Sequence, residues 1–264
     1  MTTQPSEPPA EKKEIPNYKL YLLAVITGII SYFIAALNPN LSFISIILIW
    51  PAFIAAAGCV EFLCRYGLGT GTSSIGYWGT ACGATVVFAS QFIETTVYSP
   101  FLEIAIATLL GYAAGFCANK IIKMKIPRIE LNSAIIAGST GIITLIVLEI
   151  LAGGTGIAGT TVYYIYPVMY IGIALTVLHP YNGNLGAGEN QTRTLMLAMC
   201  EAALLTALFG FIGILLPNTP FIPALGMLII SIIGFVIFVS IWWKRVKEEV
   251  YEVVWAGYPA GVDH

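Results

Sequence analysis

The chain has 264 residues, 58% of them hydrophobic and only 10% charged, with a mean hydropathy of +0.85 and a formal net charge of -2. Such values exclude an ordinary soluble domain, leave no basic stripe for nucleic acid, and indicate an integral membrane protein. The length suits one bundle of several spanning helices and no second globular domain.

The chain opens on a mixed-charge, proline-rich stretch, and residues 1–17 are expected to form a disordered cytoplasmic tail. A transmembrane bundle over 18–243 and a cytoplasmic amphipathic tail over 244–264 complete the expected organisation. Crossing a bilayer as a helix takes about 20 apolar residues. Segments of that kind run near 20–37, 41–63, 75–93, 101–122, 131–152, 161–178, 194–216 and 221–243. The expected fold class is therefore an all-α, polytopic membrane helix bundle of about eight spans. The first segment is not followed by a small-residue cleavage site and reads as a retained span rather than a signal peptide.

Charge tests the count, because Lys and Arg collect on the cytoplasmic side. With eight spans, all twelve basic residues fall on one side: Lys12, Lys13, Lys19, Arg65, Lys120, Lys123, Lys125, Arg128, Arg193, Lys244, Arg245 and Lys247. The opposite connections, "NPN", "ETTVYSP", "GGTGIAGT" and "PNTP", contain none. The pattern predicts a multi-pass protein of the cell membrane with both termini cytoplasmic.

Two prolines lie in mid-span, Pro51 in "LIWPAFI" and Pro167 in "YIYPVMY", and each should kink its helix. Each stands 16 residues ahead of a glycine-rich connection, "GLGTGTSSIG" from Gly67 and "GNLGAGENQT" from Gly183. The correspondence allows a four-plus-four internal repeat, and equally allows kinks and turns that arose independently. Glycine admits close backbone approach, as at Gly67, Gly69 and Gly71. The hydroxyls of Thr70, Thr72, Ser73 and Ser74 and the amides of Asn182 and Asn184 supply oxygen ligands. "GLGTGTSSIG" lacks a Walker lysine, so a nucleotide site is not indicated.

An ionisable group inside a span is a functional candidate by default. Glu201, in "LAMCEAALL", is the first choice for a Na⁺ or H⁺ path; its alternative is a structural carboxylate bonded to a neighbouring helix or subunit. Glu61 lies nearer the surface, four residues from Arg65, at the spacing of a helix ion pair. Glu94, Glu103 and Glu149 are placed near the outer face, as a cation-attracting mouth or as hydrated carboxylates. His179 is followed by Pro180, which should hold it extended at the end of the sixth helix; a lone histidine is a poor metal site, and none is expected. The five cysteines (Cys59, Cys64, Cys82, Cys117, Cys200) form no CxxC pair and read as small buried side chains. No nucleophile or carboxylate pair has the partners of a catalytic site. Val246, Val250, Val253 and Val254 lie at helical spacing among charges, which predicts a surface or partner-docking helix, or an extension of the last span.

Three blocks, "YGLGTGTSSIG" (66–76), "ANKIIKMKIP" (118–127) and "LHPYNGNLGAGENQTRTLMLA" (178–198), carry a resemblance. They are similar to segments of the C subunit of tetrahydromethanopterin S-methyltransferase, a membrane complex of methanogenic archaea. The third block keeps His179, Pro180, Tyr181, Asn182, Arg193, Thr194, Leu195, Met196 and Leu197. The resemblance implies membership of an enzyme complex that moves a methyl group from methyl-tetrahydromethanopterin through a corrinoid to coenzyme M, coupled to Na⁺ export. It implies a corrinoid carried mainly by the complex's A subunit, membrane partners D and E, and contact with lipid. The glycine-rich loops, with Gly67, Gly69, Gly71, Ser73, Ser74, His179, Tyr181 and Arg193, become the expected docking or coenzyme M surface. Arg193 would be available to an anionic sulfonate. Two other readings stay open at this point: an independent secondary transporter, and a purely structural subunit.

Overall fold

The structure, a computed structural model, describes residues 14–66, 71–92, 99–152, 160–182 and 191–250. The described residues form eight α-helices and no strand: α1 (Asn17–Leu37), α2 (Ser45–Tyr66), α3 (Gly71–Ser90), α4 (Ser99–Phe116), α5 (Ile129–Ala152), α6 (Thr160–Asn182), α7 (Gln191–Leu215) and α8 (Phe221–Val250). A 3₁₀ turn, Pro39–Ile44, leads into α2, and α4 ends in a π-helical turn, Cys117–Ile121. By length and composition, all but α3 and α6 can cross a membrane, six helices in total. The other two are 20 and 23 residues long and richer in Gly, Thr and Tyr.

Helix α5 is the axis of the bundle. Small residues make this possible, because Ser133, Ala134, Ala137, Gly138 and Gly141 let neighbours come close between its larger aliphatic side chains. A Cβ on Gly83 of α3 would collide with the carbonyl of Ala137, and one on Gly111 of α4 with that of Ser133. At these two points backbone touches backbone. Two threonine hydroxyls of the same helix fold back onto it, Thr140 Oγ1 to the Ile136 carbonyl (2.8 Å) and Thr144 Oγ1 to the Thr140 carbonyl (2.8 Å), so burying these two leaves their donors satisfied. Around this axis α1, α2, α3 and α4 are laid, while α7 and α8 pack together and reach α5 chiefly through α2.

Neighbours are fixed by few polar contacts between helices. Ser45 Oγ donates to the Ser31 carbonyl (3.0 Å) where α2 meets α1; Ser231 Oγ donates to Thr206 Oγ1 (2.8 Å) between α8 and α7; Tyr21 and Thr108 share a 2.7 Å bond between α1 and α4. Tyr166 of α6 stacks on Phe88 of α3 at 4.1 Å. Large apolar side chains such as Leu23, Ile26 and Phe33 on α1, Leu102 and Leu109 on α4, and Ile233 and Ile237 on α8 face outward. That apolar girdle is the surface a bilayer requires.

Several helix ends meet at one side of the bundle. The start of α1, the end of α2 and the starts of α5 and α7 line one cavity of about 220 Å³, and Asn119 beyond α4 bonds Glu130 at the start of α5 (2.7 Å). Arg128 lines this cavity, and Arg65 pairs with Glu14 and Glu61, which line it too.

Several boundaries differ from expectation. Residues 14–17 do not belong to a disordered tail; they are hydrogen-bonded and paired to the bundle. Helix α8 continues unbroken through Lys244 to Val250, so the extension of the last span is what forms there, and 251–264 lie outside the described residues. The two halves also pack unequally: α1 lies along α2, whereas α5 scarcely meets α6. The equivalence hinted at by Pro51 and Pro167 stops short of the first helix of each half, because α1 and α5 both lie on the side of α2.

Candidate functional site

Two polar clusters stand out in so apolar a chain. The first closes the basic end of the bundle. Glu61, one helical turn before Arg65, accepts its Nη2 at 2.6 Å, and Arg65 also pairs with Glu14 from the segment that enters α1. The spacing foretold the pair, but the expected depth of Glu61 is corrected. It is only 1% exposed, because Glu14 to Asn17 pack across this end. Ile15 exchanges two main-chain bonds with the Gln191 amide, each 2.9 Å. Asn17 Nδ2 donates to the Gly58 carbonyl (3.2 Å) and to Asn132 Oδ1 (2.9 Å), and Asn132 Nδ2 donates to the Arg128 carbonyl (2.8 Å). One short entry segment thus ties α1, α2, α5 and α7. None of Glu14, Asn17, Asn132 and Gln191 stood out in the sequence, where polar residues at span ends are ordinary.

The second cluster joins α6 and α7. His179 Nδ1 lies 2.5 Å from Glu201 Oε1. Neither side chain has a second hydrogen-bond partner among the described residues. The histidine is helical rather than extended, since Pro180 removes a single amide and α6 runs on to Asn182. The pair lies on a groove of about 730 Å³ on the outside of the bundle, floored by Gly172, Thr176 and Ala207 and walled by Leu204, Leu208 and Ile232. His179 is 60% exposed and Glu201 18%. The sequence offered both residues singly; the structure makes them one site.

The remaining candidates are dispersed. Gly67, Gly69, Thr70 and Asn184 lie outside the described residues, and the backbone of Gly71, Thr72 and Ser73 opens α3. Ser74 lines a cavity of about 420 Å³ with Trp78, Cys117 and Met124. Tyr181 is buried and Asn182 exposed at the end of α6. Helix α7 begins at Gln191, earlier than expected, and its first turn is inside the bundle, leaving Arg193 5% exposed and engaged within the chain. Pro51 and Pro167 lie inside α2 and α6. Glu103 is buried rather than hydrated, and Glu94 is outside the described residues. No group of three His, Cys, Asp or Glu side chains able to hold a metal occurs among the described residues.

An all-α bundle with an apolar girdle, basic loops gathered at one end and a carboxylate–imidazole pair on an outer groove defines a polytopic membrane protein. The family model for the C subunit of tetrahydromethanopterin S-methyltransferase matches residues 3–260. The C subunit of that enzyme from Methanothermobacter thermautotrophicus is 31% identical over 260 residues, covering 92% of each chain. Its counterpart from Methanothermobacter marburgensis is 30% identical over 265 residues, 95% of this chain and 96% of the relative. That from Methanosarcina barkeri is 30% identical over 248 residues, 92% and 91%. The chain belongs to the family of tetrahydromethanopterin S-methyltransferase C subunits, and so to a methyltransferase built from several polypeptides.

Proposed function

We propose that this chain is a membrane-embedded subunit of a complex that carries a methyl group from methyl-tetrahydromethanopterin to coenzyme M by way of a corrinoid and couples the transfer to Na⁺ export. The observation that carries the reading is the family match along nearly the whole chain, joined to a helix bundle whose outer face bears a carboxylate within an apolar stretch. Both termini are taken as cytoplasmic, because the basic residues gather at one end. The reading places the corrinoid elsewhere in the complex, with the A subunit its carrier and D and E the membrane neighbours.

Coupling of this kind needs an element with two states whose balance depends both on the methyl acceptor and on the ion. In this chain the proline-interrupted helices α2 and α6, with the connections that follow them, are the proposed element. Gentle solubilisation of native membranes and capture of the tagged chain provide the test. Corrinoid absorbance and Na⁺-stimulated methyl transfer to coenzyme M should accompany it. Emergence of the chain alone and corrinoid-free, under conditions that keep other membrane complexes intact, overturns the reading.

A further inference from the structure

We infer that the groove between α6, α7 and α8 is the seat of a transmembrane helix from a different polypeptide of the complex, and that this helix places a nitrogen donor, an amide or a cationic side chain, against the His179–Glu201 pair. The inference rests on the multi-subunit reading above and adds the face and the chemistry of the partner.

Glu201 lies ten residues into α7, roughly 15 Å along the helix at 1.5 Å per residue, between "TLMLAMC" and "AALLTALFGFI". Ionisable side chains within spans face a bundle interior or water, because hydrocarbon leaves their polar atoms unsatisfied. Here they line an outer groove instead, beside Leu175, Leu204, Leu208 and Phe211, which are about half exposed. The contrast with the other acidic residues is direct: Glu61 is enclosed and paired with Arg65, and Glu103 is enclosed. The outward faces of α1 and α4 show the apolar residues that lipid requires.

The groove itself fits a helix. Its floor is Gly172, Thr176 and Ala207, small residues of the kind that let a neighbouring helix come close. Its walls are branched aliphatic side chains spaced along α7 and α8, and its only ionisable groups are at one end. Charge then selects the occupant. A carboxylate at that end repels the phosphate of a lipid headgroup, whereas a nitrogen donor on a protein helix completes the bonding that His179 begins.

The test uses the full chain in intact native membranes, with a photo-crosslinking amino acid at Leu204 or Leu208. A crosslink to a different membrane polypeptide is expected. Glu201→Leu should lower its yield about fivefold, the factor set by one interhelical polar contact, while Glu201→Gln, which keeps an acceptor, should retain most of it. Crosslinks confined to lipid, to a second copy or to this chain's own residues 251–264 overturn the proposal. So does a yield unchanged in Glu201→Leu. Whether the crosslinked polypeptide also co-purifies with corrinoid and methyl transfer is read separately, so failure of the functional reading and failure of the groove are told apart.

Discussion

The two polar clusters are built from the same materials, a helix-borne glutamate and a nitrogen partner, and end in opposite states. At the basic end, Glu61 is sealed beneath the entry segment and pinned by Arg65, with Glu14, Asn17, Asn132 and Gln191 lining the small cavity beside it. On the α6–α7 face, Glu201 meets one histidine and then a groove. A buried ion pair that loses one partner leaves a charge in a low dielectric, and removal is severe even where the pair itself adds little. An open pair can borrow solvent or a partner chain. The difference teaches that the first cluster holds this chain together, while the second leaves a polar pair on an open face.

The largest effect should come from Arg65→Ala, which strips Glu61 of its guanidinium. We expect a loss of about 3 kcal/mol, seen as a strong drop in folded chain recovered from membranes and a lower thermal midpoint in detergent. Adding Glu61→Gln to that variant should restore a large part of the loss, because the stranded charge has gone. A double variant no better than Arg65→Ala would break the claim that charge burial dominates this end.

Next comes Asn17→Ala, which removes the bonds to the Gly58 carbonyl and to Asn132. Two partly buried neutral hydrogen bonds correspond to about 1–2 kcal/mol. The same thermal midpoint measures it, and an unchanged midpoint would show that α1 is held by its apolar face alone. A smaller effect, about 1 kcal/mol, is expected for Gln191→Ala, which frees the main chain of Ile15. Its sensitive readout is limited proteolysis, where cleavage next to Ile15 should speed up while cleavage elsewhere stays the same.

The sequence made the architecture legible because bilayer length and the basic-residue bias act on long stretches at once, and a miscount by one helix would have scattered Arg65, Arg128 and Arg193 between sides. The i, i+4 pair of Glu61 and Arg65 was legible for the same reason that local geometry always is. Depth was not. Whether Glu61 or Arg193 is buried depends on segments far away in the chain, Ile15 against Gln191 for example, and composition carries no trace of that. The His179–Glu201 pair was hidden by register. Helices folded evenly about residues 183–190 would set His179 opposite Thr194. Glu201 lies seven residues further, so α7 is shifted along α6 by roughly 6–10 Å. Such a shift is decided by packing, through contacts like Leu205 against Gly172, rather than by periodicity.

The smallest stability effect should therefore be found at the open pair. Glu201→Gln replaces the carboxylate with an amide of the same shape, keeps an oxygen within reach of His179, and exposes no buried partner, since the histidine is 60% exposed. We expect the isolated chain's thermal midpoint to shift by no more than about 0.5 kcal/mol equivalent. His179→Gln should behave alike, because the groove floor and walls are untouched. If either change destabilised the isolated chain as much as Arg65→Ala, the α6–α7 pair would be a second internal staple, and the distinction between a closed end and an open face would collapse. If both are quiet in the isolated chain while Glu201→Leu weakens its association with the rest of the complex, the pair does its work across an interface.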